Sequence, residues 1–285
     1  MKEPIIPCDK DADLATKVEQ LKDAIRTKAH TLVDFQMPDE QFREGVLRSA
    51  LESLRGSNSA DMSAKRAFVA AILDDMRARA FIRDWRGSGS SNRFDYSIEL
   101  KSGRTCIIEL KGCLDGNNTN IFERPTQADE FVIWSVCQNA ASDPRKNVWS
   151  GVHTRLSSEI FSREVVVDGL IVWDLLCGTV RNCPKLAVAP DRKLTVGKYS
   201  LPPPCVYLLP AQVPAVRNNR QPRVHQIEDV EFLSALCDCY GVQSDEIYSV
   251  SFEVSVKGAE TMRMTKIIQM ETLIKQSAGT AIKRK

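Results

Sequence analysis

Phe94-Asp95-Tyr96-Ser97-Ile98-Glu99-Leu100-Lys101-Ser102-Gly103-Arg104-Thr105-Cys106-Ile107-Ile108-Glu109-Leu110-Lys111 holds both the local fold and the chemistry of this chain. Two strand-like segments, Phe94–Leu100 and Arg104–Lys111, flank Lys101-Ser102-Gly103, which predicts a β-hairpin. A three-residue loop with glycine last favours a type I turn followed by a left-handed residue. That register pairs Leu100 with Arg104 and, further along, Asp95 with Glu109. Glu109 and Lys111 are two apart and share a face, as do directly opposed residues. The hairpin therefore gathers two carboxylates and one ammonium on one side of a sheet. Opposed carboxylates repel unless a cation lies between them. Mg²⁺ takes hard oxygen ligands and keeps waters for chemistry. A lysine beside it can orient a water and offset phosphate charge. These are the parts that hydrolysis of a phosphodiester needs.

An aspartate, thirteen intervening residues, then Glu-X-Lys closing an apolar strand resembles the PD-(D/E)XK nuclease superfamily, which includes type II restriction endonucleases. The resemblance covers roughly residues 60–175. It implies a restriction-endonuclease-like core, with Asp95 and Glu109 binding Mg²⁺ (Mn²⁺ substituting), the Leu110 carbonyl as a further ligand, and Lys111 attending the attacking water. It also implies sequence-specific cutting of double-stranded DNA by a homodimer, with a companion methyltransferase protecting the same site. Phe94 departs from the pattern, where the family often has proline; that position carries no chemistry. An isolated Glu-X-Lys in a strand is ordinarily a solvated ion pair. Here the register, the apolar run Cys106-Ile107-Ile108 and the polar loop that follows favour a site. Glu99-Leu100-Lys101 repeats the triplet, but its lysine falls in the turn. Pro38-Asp39-Glu40 sits at a helix start, where acids suit the dipole.

Around the hairpin, periodicity predicts helices over 11–35, from Pro38 to about Leu54, and over 61–84. Arg86–Asn92 reads as a flexible loop. Phe131–Val136 and Val165–Leu176 read as strands, Asn147–Phe161 as a helix, and 184–223 as an irregular excursion. Asp229–Tyr240 reads as a helix stopped by Gly241, and Tyr248–Val256 with Thr261–Met270 as a hairpin around Lys257-Gly258. The expected fold class is α/β (α+β): a helical N-terminal part over 1–85, then a catalytic core over 93–176 whose central mixed β-sheet is flanked by helices. Residues 184–285 complete one domain with a DNA-recognition and dimerisation part.

Composition limits the alternatives. A net charge of +2 argues against coating nucleic acid by bulk charge, but not against a local basic surface. Nine cysteines without CxxC spacing argue against a disulfide framework or a zinc ribbon. No apolar run is long enough to span a bilayer, and Met1–Lys17 has no apolar signal core, so a cytoplasmic protein is expected.

Arg217-Asn218-Asn219-Arg220-Gln221-Pro222-Arg223 concentrates the residues that read base edges, arginine on guanine and Asn or Gln on adenine. A solvated basic loop is the plain alternative. Asp115–Asn120, with Asn117 and Asn118, follows the catalytic strand and is a second DNA-contacting candidate. His153 and Glu123–Gln127 are weaker ones. Glu44 and Glu52 stand eight apart on one side of the second helix; either could reach the metal, but surface positions are the plainer reading and neither is placed in the site. A repair or mobile-element nuclease, and a non-catalytic DNA-binding scaffold, are the competing functions.

Overall fold

The computed structural model describes residues 20, 23, 24, 27, 38, 63–88, 94–112, 114, 123–136, 151–173, 192 and 194–282. The second expected helix, with Glu44 and Glu52, and the loop carrying Asn117 and Asn118 lie outside the described residues. Of the first helix, Gln20, Asp23, Ala24 and Thr27 are described and helical.

The protein is mixed α/β, built on one central mixed sheet. Its strands are β1 (Asp84–Gly87), β2 (Tyr96–Glu99), β3 (Thr105–Lys111), β4 (Glu130–Ser135), β5 (Gly169–Val172), β8 (Cys205–Leu208), β9 (Ile247–Lys257), β10 (Glu260–Gln269) and β11 (Thr272–Gln276), side by side in that order, with β12 (Thr280–Ala281) also on β10. β6 (Leu194–Val196) and β7 (Tyr199–Leu201) form a separate small hairpin. Helix α1 (Ser63–Ala78) and helix α3 (Glu231–Tyr240) pack on one face, through Phe68, Ile72, Met76, Phe232 and Leu236 against Ile98, Ile108 and Trp134. A π-helical turn, Val152–Leu156, leading into α2 (Ser157–Arg163), covers the other face over Ile107, Ile133 and Leu170. Alternation along β3 sends Ile108 and Leu110 to the first layer, and Ile107 to the second.

The β2–β3 register is the one the turn chemistry predicts. Tyr96 pairs Ile108, Ile98 pairs Cys106, and Glu99 pairs Thr105. Leu100 N–H donates to the Arg104 carbonyl at 2.9 Å, and Gly103 is left-handed at φ 88°. The turn is anchored from afar: Glu231, at the start of α3, accepts from the Ser102 N–H at 3.0 Å and from its hydroxyl. The N–H groups of Glu231 and Phe232 donate in turn to buried Glu130, at 2.7 and 3.0 Å. Burial pushes the Glu130 carboxyl up, against the pull of those donors and of Arg104.

Some expectations need correction. α1 ends at Ala78, not at 84. Ala80 takes the left-handed position at φ 57°, and the N–H groups of Ala80 and Phe81 close onto Arg77 and Met76, the Schellman arrangement usually given to glycine. Asp84–Gly87 is strand, so Arg86 and Gly87 leave the expected loop. Of the strand expected over Val165–Leu176, Gly169–Val172 is strand, and 174–176 lie outside the described residues. Residues 194–208, expected to be irregular, supply β6, β7 and β8. Among the described residues no helix is long and apolar enough to cross a membrane.

Candidate active site

β3, β4 and β5 run parallel, so their C-terminal ends share one edge of the sheet. Glu109 and Lys111 lie at that edge, and the start of β2 brings Asp95 to it. The β2–β3 ladder stops at Tyr96 and Ile108. One residue before, Asp95 N–H donates to the Ile108 carbonyl at 3.1 Å, while its own carbonyl accepts from Ser88 N–H at 2.8 Å. The pairing has slipped by one residue, which leaves the next N–H of β3 on that side, Leu110, without a main-chain acceptor in β2. Asp95 Oδ2 takes it at 2.8 Å. A strand residue's N–H and C=O point to the same side, so the Leu110 carbonyl also faces the Asp95 edge.

Glu109 is only 1% exposed, with Ile133 of β4 beside it in register. Its Oε1 pairs with Lys111 Nζ, and the Lys111 side chain is 14% exposed. Asp95, 16% exposed, is paired through Oδ1 with Arg66 Nη2 at 3.3 Å, reaching from the first turns of α1. The Tyr96 hydroxyl donates to the Arg66 carbonyl at 3.0 Å and fixes that part of α1 over the strand. Burial, then the neighbouring Asp95 charge, pushes the Tyr96 phenol up to about 12, so it stays a donor.

Arg66 was not visible as a site residue from sequence; the one available signal was a helix upstream of the motif. Its presence changes the electrostatic argument. Each carboxylate already has a protein cation, so their mutual repulsion does not by itself demand a metal. The donor set still fits one: two carboxylates and a carbonyl are hard oxygens, and Mg²⁺ completes such a set with water. Among the described residues no cluster of three or more His, Cys, Asp or Glu could hold a metal, so the ion would rest on Asp95, Glu109 and the Leu110 carbonyl.

The structure places the Arg217–Arg223 segment elsewhere. β8 runs antiparallel to β5, so the loop after β8 leaves from the edge opposite Lys111. The row through Glu109 continues to Ile133, Leu170 and Tyr207. Pro210 lies three residues past Tyr207, ~10 Å along the strand direction. All six polar candidates are exposed, and four have partners within the chain. Arg223 pairs with Asp229 at 2.7 Å, Gln221 donates to Glu253 at 3.2 Å, Asn219 to Gln212 at 3.2 Å, and Arg220 Nε to the Val216 carbonyl at 3.1 Å. Arg217 and Asn218 line a groove of about 980 Å³ between this loop, the end of α2 and the β9–β10 hairpin.

Of the weaker candidates, Arg124 has a structural role. Arg124 turns inward onto buried Asp168 at 2.9 Å. Asp168 also accepts from Phe131 N–H at 2.7 Å and lies 3.2 Å from His225 Nε2. This ties the start of β4 and the return of the 211–226 loop to the start of β5. His153, in the π-helical turn, is held below its ordinary value by burial and by the charges of Arg263 and Lys275. Cys237 and Cys239 are both buried in the core under α3.

Comparison with family models, with curated proteins and with solved structures gives no match for this chain.

Proposed function

We propose that this chain is a Mg²⁺-dependent nuclease of the PD-(D/E)XK type that cuts double-stranded DNA at specific sequences, as a type II restriction endonuclease does. The observation that carries the reading is the slipped end of the β2–β3 hairpin. It sets the Asp95 carboxylate on the N–H of Leu110, the residue between the paired Glu109 and Lys111, at the C-terminal ends of three parallel strands. Asp95, Glu109 and the Leu110 carbonyl would hold the ion. Bound there, it would lower the pKa of a water and polarise the phosphate. Lys111, two residues from Glu109 on the same face, would orient the attacking water and offset charge gathering on the phosphorus oxygens. Water attacks phosphorus, the bond to one bridging oxygen breaks, and that oxygen leaves with a proton. A homodimer suits a palindromic target, because protein two-fold symmetry then matches that of the DNA. A methyltransferase acting on the same sequence would be its functional companion.

One observation favours a different class. Arg66 and Lys111 balance both carboxylates, as a fold of this kind that had lost catalysis and kept DNA binding would require. Incubating the chain with plasmid DNA and Mg²⁺, with and without a chelator, separates the readings. Discrete Mg²⁺-dependent fragments support the restriction enzyme, a smear points to a repair or mobile-element nuclease, and intact plasmid favours the scaffold.

A further inference from the structure

The two oxygens of Asp95 are held differently. Oδ2 completes the hydrogen bonding of β3, and releasing it would strand the Leu110 N–H. Among the described residues Oδ1 is paired with a side chain, Arg66 Nη2 at 3.3 Å, and the Arg66 side chain is 62% exposed. Such a pair is weak and loosely held, because water screens it and a long side chain must be ordered to make it. Lys111, by contrast, is drawn in to the nearly sealed Glu109. One cation of the site is thus embedded and the other is at the surface, on the oxygen a metal would approach.

We infer that Arg66 serves two partners in turn: it holds Asp95 Oδ1 before the metal binds, and then passes to a phosphate of the bound DNA strand. This rests on the nuclease reading and extends it to a residue outside the motif. The charge count supports it. Two carboxylates are balanced by Arg66 and Lys111, and one Mg²⁺ adds two positive charges, matching the two negative charges that a phosphodiester under attack by hydroxide carries. Without Arg66 the loaded site is one positive charge short. Guanidinium suits the exchange, since its planar fork binds carboxylate and phosphate alike. The first turns of α1 stay in place through Tyr96, so the exchange needs a side-chain rotation and no movement of backbone.

Arg66→Ala and Arg66→Gln test it, the exposed position leaving the fold intact in both. Mn²⁺ binding without DNA, followed by electron paramagnetic resonance, should tighten roughly two- to fivefold, the factor of an exposed ion pair removed as competitor. Duplex binding in Ca²⁺ between about 50 and 200 mM salt should show a log–log slope shallower by about one, the loss of one phosphate contact. Mn²⁺ affinity that is equal or weaker in both variants, or an unchanged salt slope, overturns the exchange. Wild-type protein that binds no Mn²⁺ overturns the nuclease reading itself, a different outcome read from a different sample.

Discussion

Lys111→Ala is the substitution that most sharply separates an embedded ion pair from a surface one. Glu109 is 1% exposed and pairs with Lys111, itself 14% exposed. Removing the ammonium leaves a carboxylate in a nearly dry position, where breaking a buried pair costs ~3–5 kcal/mol. An exposed pair would cost about 0–1 kcal/mol. Against a total stability on the order of 5–15 kcal/mol, the first figure is a large share. Urea unfolding at about pH 8, with m held constant, measures it. The double variant Glu109→Gln/Lys111→Ala should recover most of the loss. Mg²⁺ at about one hundred times its Kd should return roughly 2.7 kcal/mol to Lys111→Ala if Glu109 binds it. A cost below ~1 kcal/mol, or a double variant as unstable as the single one, would refute the burial argument. No gain of stability with Mg²⁺ would refute the metal assignment. Cleavage by Lys111→Ala is expected to be lost while duplex binding persists, once assays are run where the variant is folded.

Asp95→Asn keeps an acceptor for the Leu110 N–H, so it should change stability by no more than ~1 kcal/mol while abolishing Mg²⁺-dependent cleavage; full activity in the plasmid assay would remove Asp95 from the site. Asp168→Ala strands the buried Phe131 N–H and removes the carboxylate from half-buried Arg124, which keeps the Ala128 and Asp129 carbonyls; it should destabilise by ~1–3 kcal/mol in urea, with kcat unchanged wherever the protein is folded. His153 is held below its ordinary value, so the folded state binds fewer protons and stability falls as pH drops from about 6.5 through the folded pKa. Relative to His153→Asn, the native protein should lose stability across that window, and parallel pH profiles of the two proteins would rule the effect out. Arg217, Arg220 and Arg223, each changed to alanine, should lose ~1–3 kcal/mol on a cognate duplex alone if they read bases. Equal loss on a scrambled duplex would make them phosphate contacts.

The β2–β3 hairpin was legible because its information is local. A left-handed glycine closes a three-residue loop, the loop sets the register from Leu100 and Arg104 as far as Tyr96 and Ile108, and the strand repeat puts Glu109 and Lys111 on one face. The same holds for Gly241 ending α3 and Gly258 turning β9 into β10. The slip that sets Asp95 on the Ile108 carbonyl, and not opposite Glu109 as the turn predicts, was not legible. Where the local signal misled, the deciding partners lay far off in sequence. α1 stops on Ala80, not on a glycine, because Phe81, packed against the core, and the strand that follows need the chain to turn there. β8 lies in a proline-rich stretch and becomes a strand because β5 and β9 offer edges on either side. The burial of Glu109 was equally hidden, since alternation gives the face of a strand residue but not what covers that face. Arg66 reaches Asp95 from twenty-nine residues upstream. A short motif fixes which side chains share a face, through the two-residue repeat of a strand. How much water and countercharge those side chains meet depends on elements the chain brings from elsewhere, and only their packing decides it.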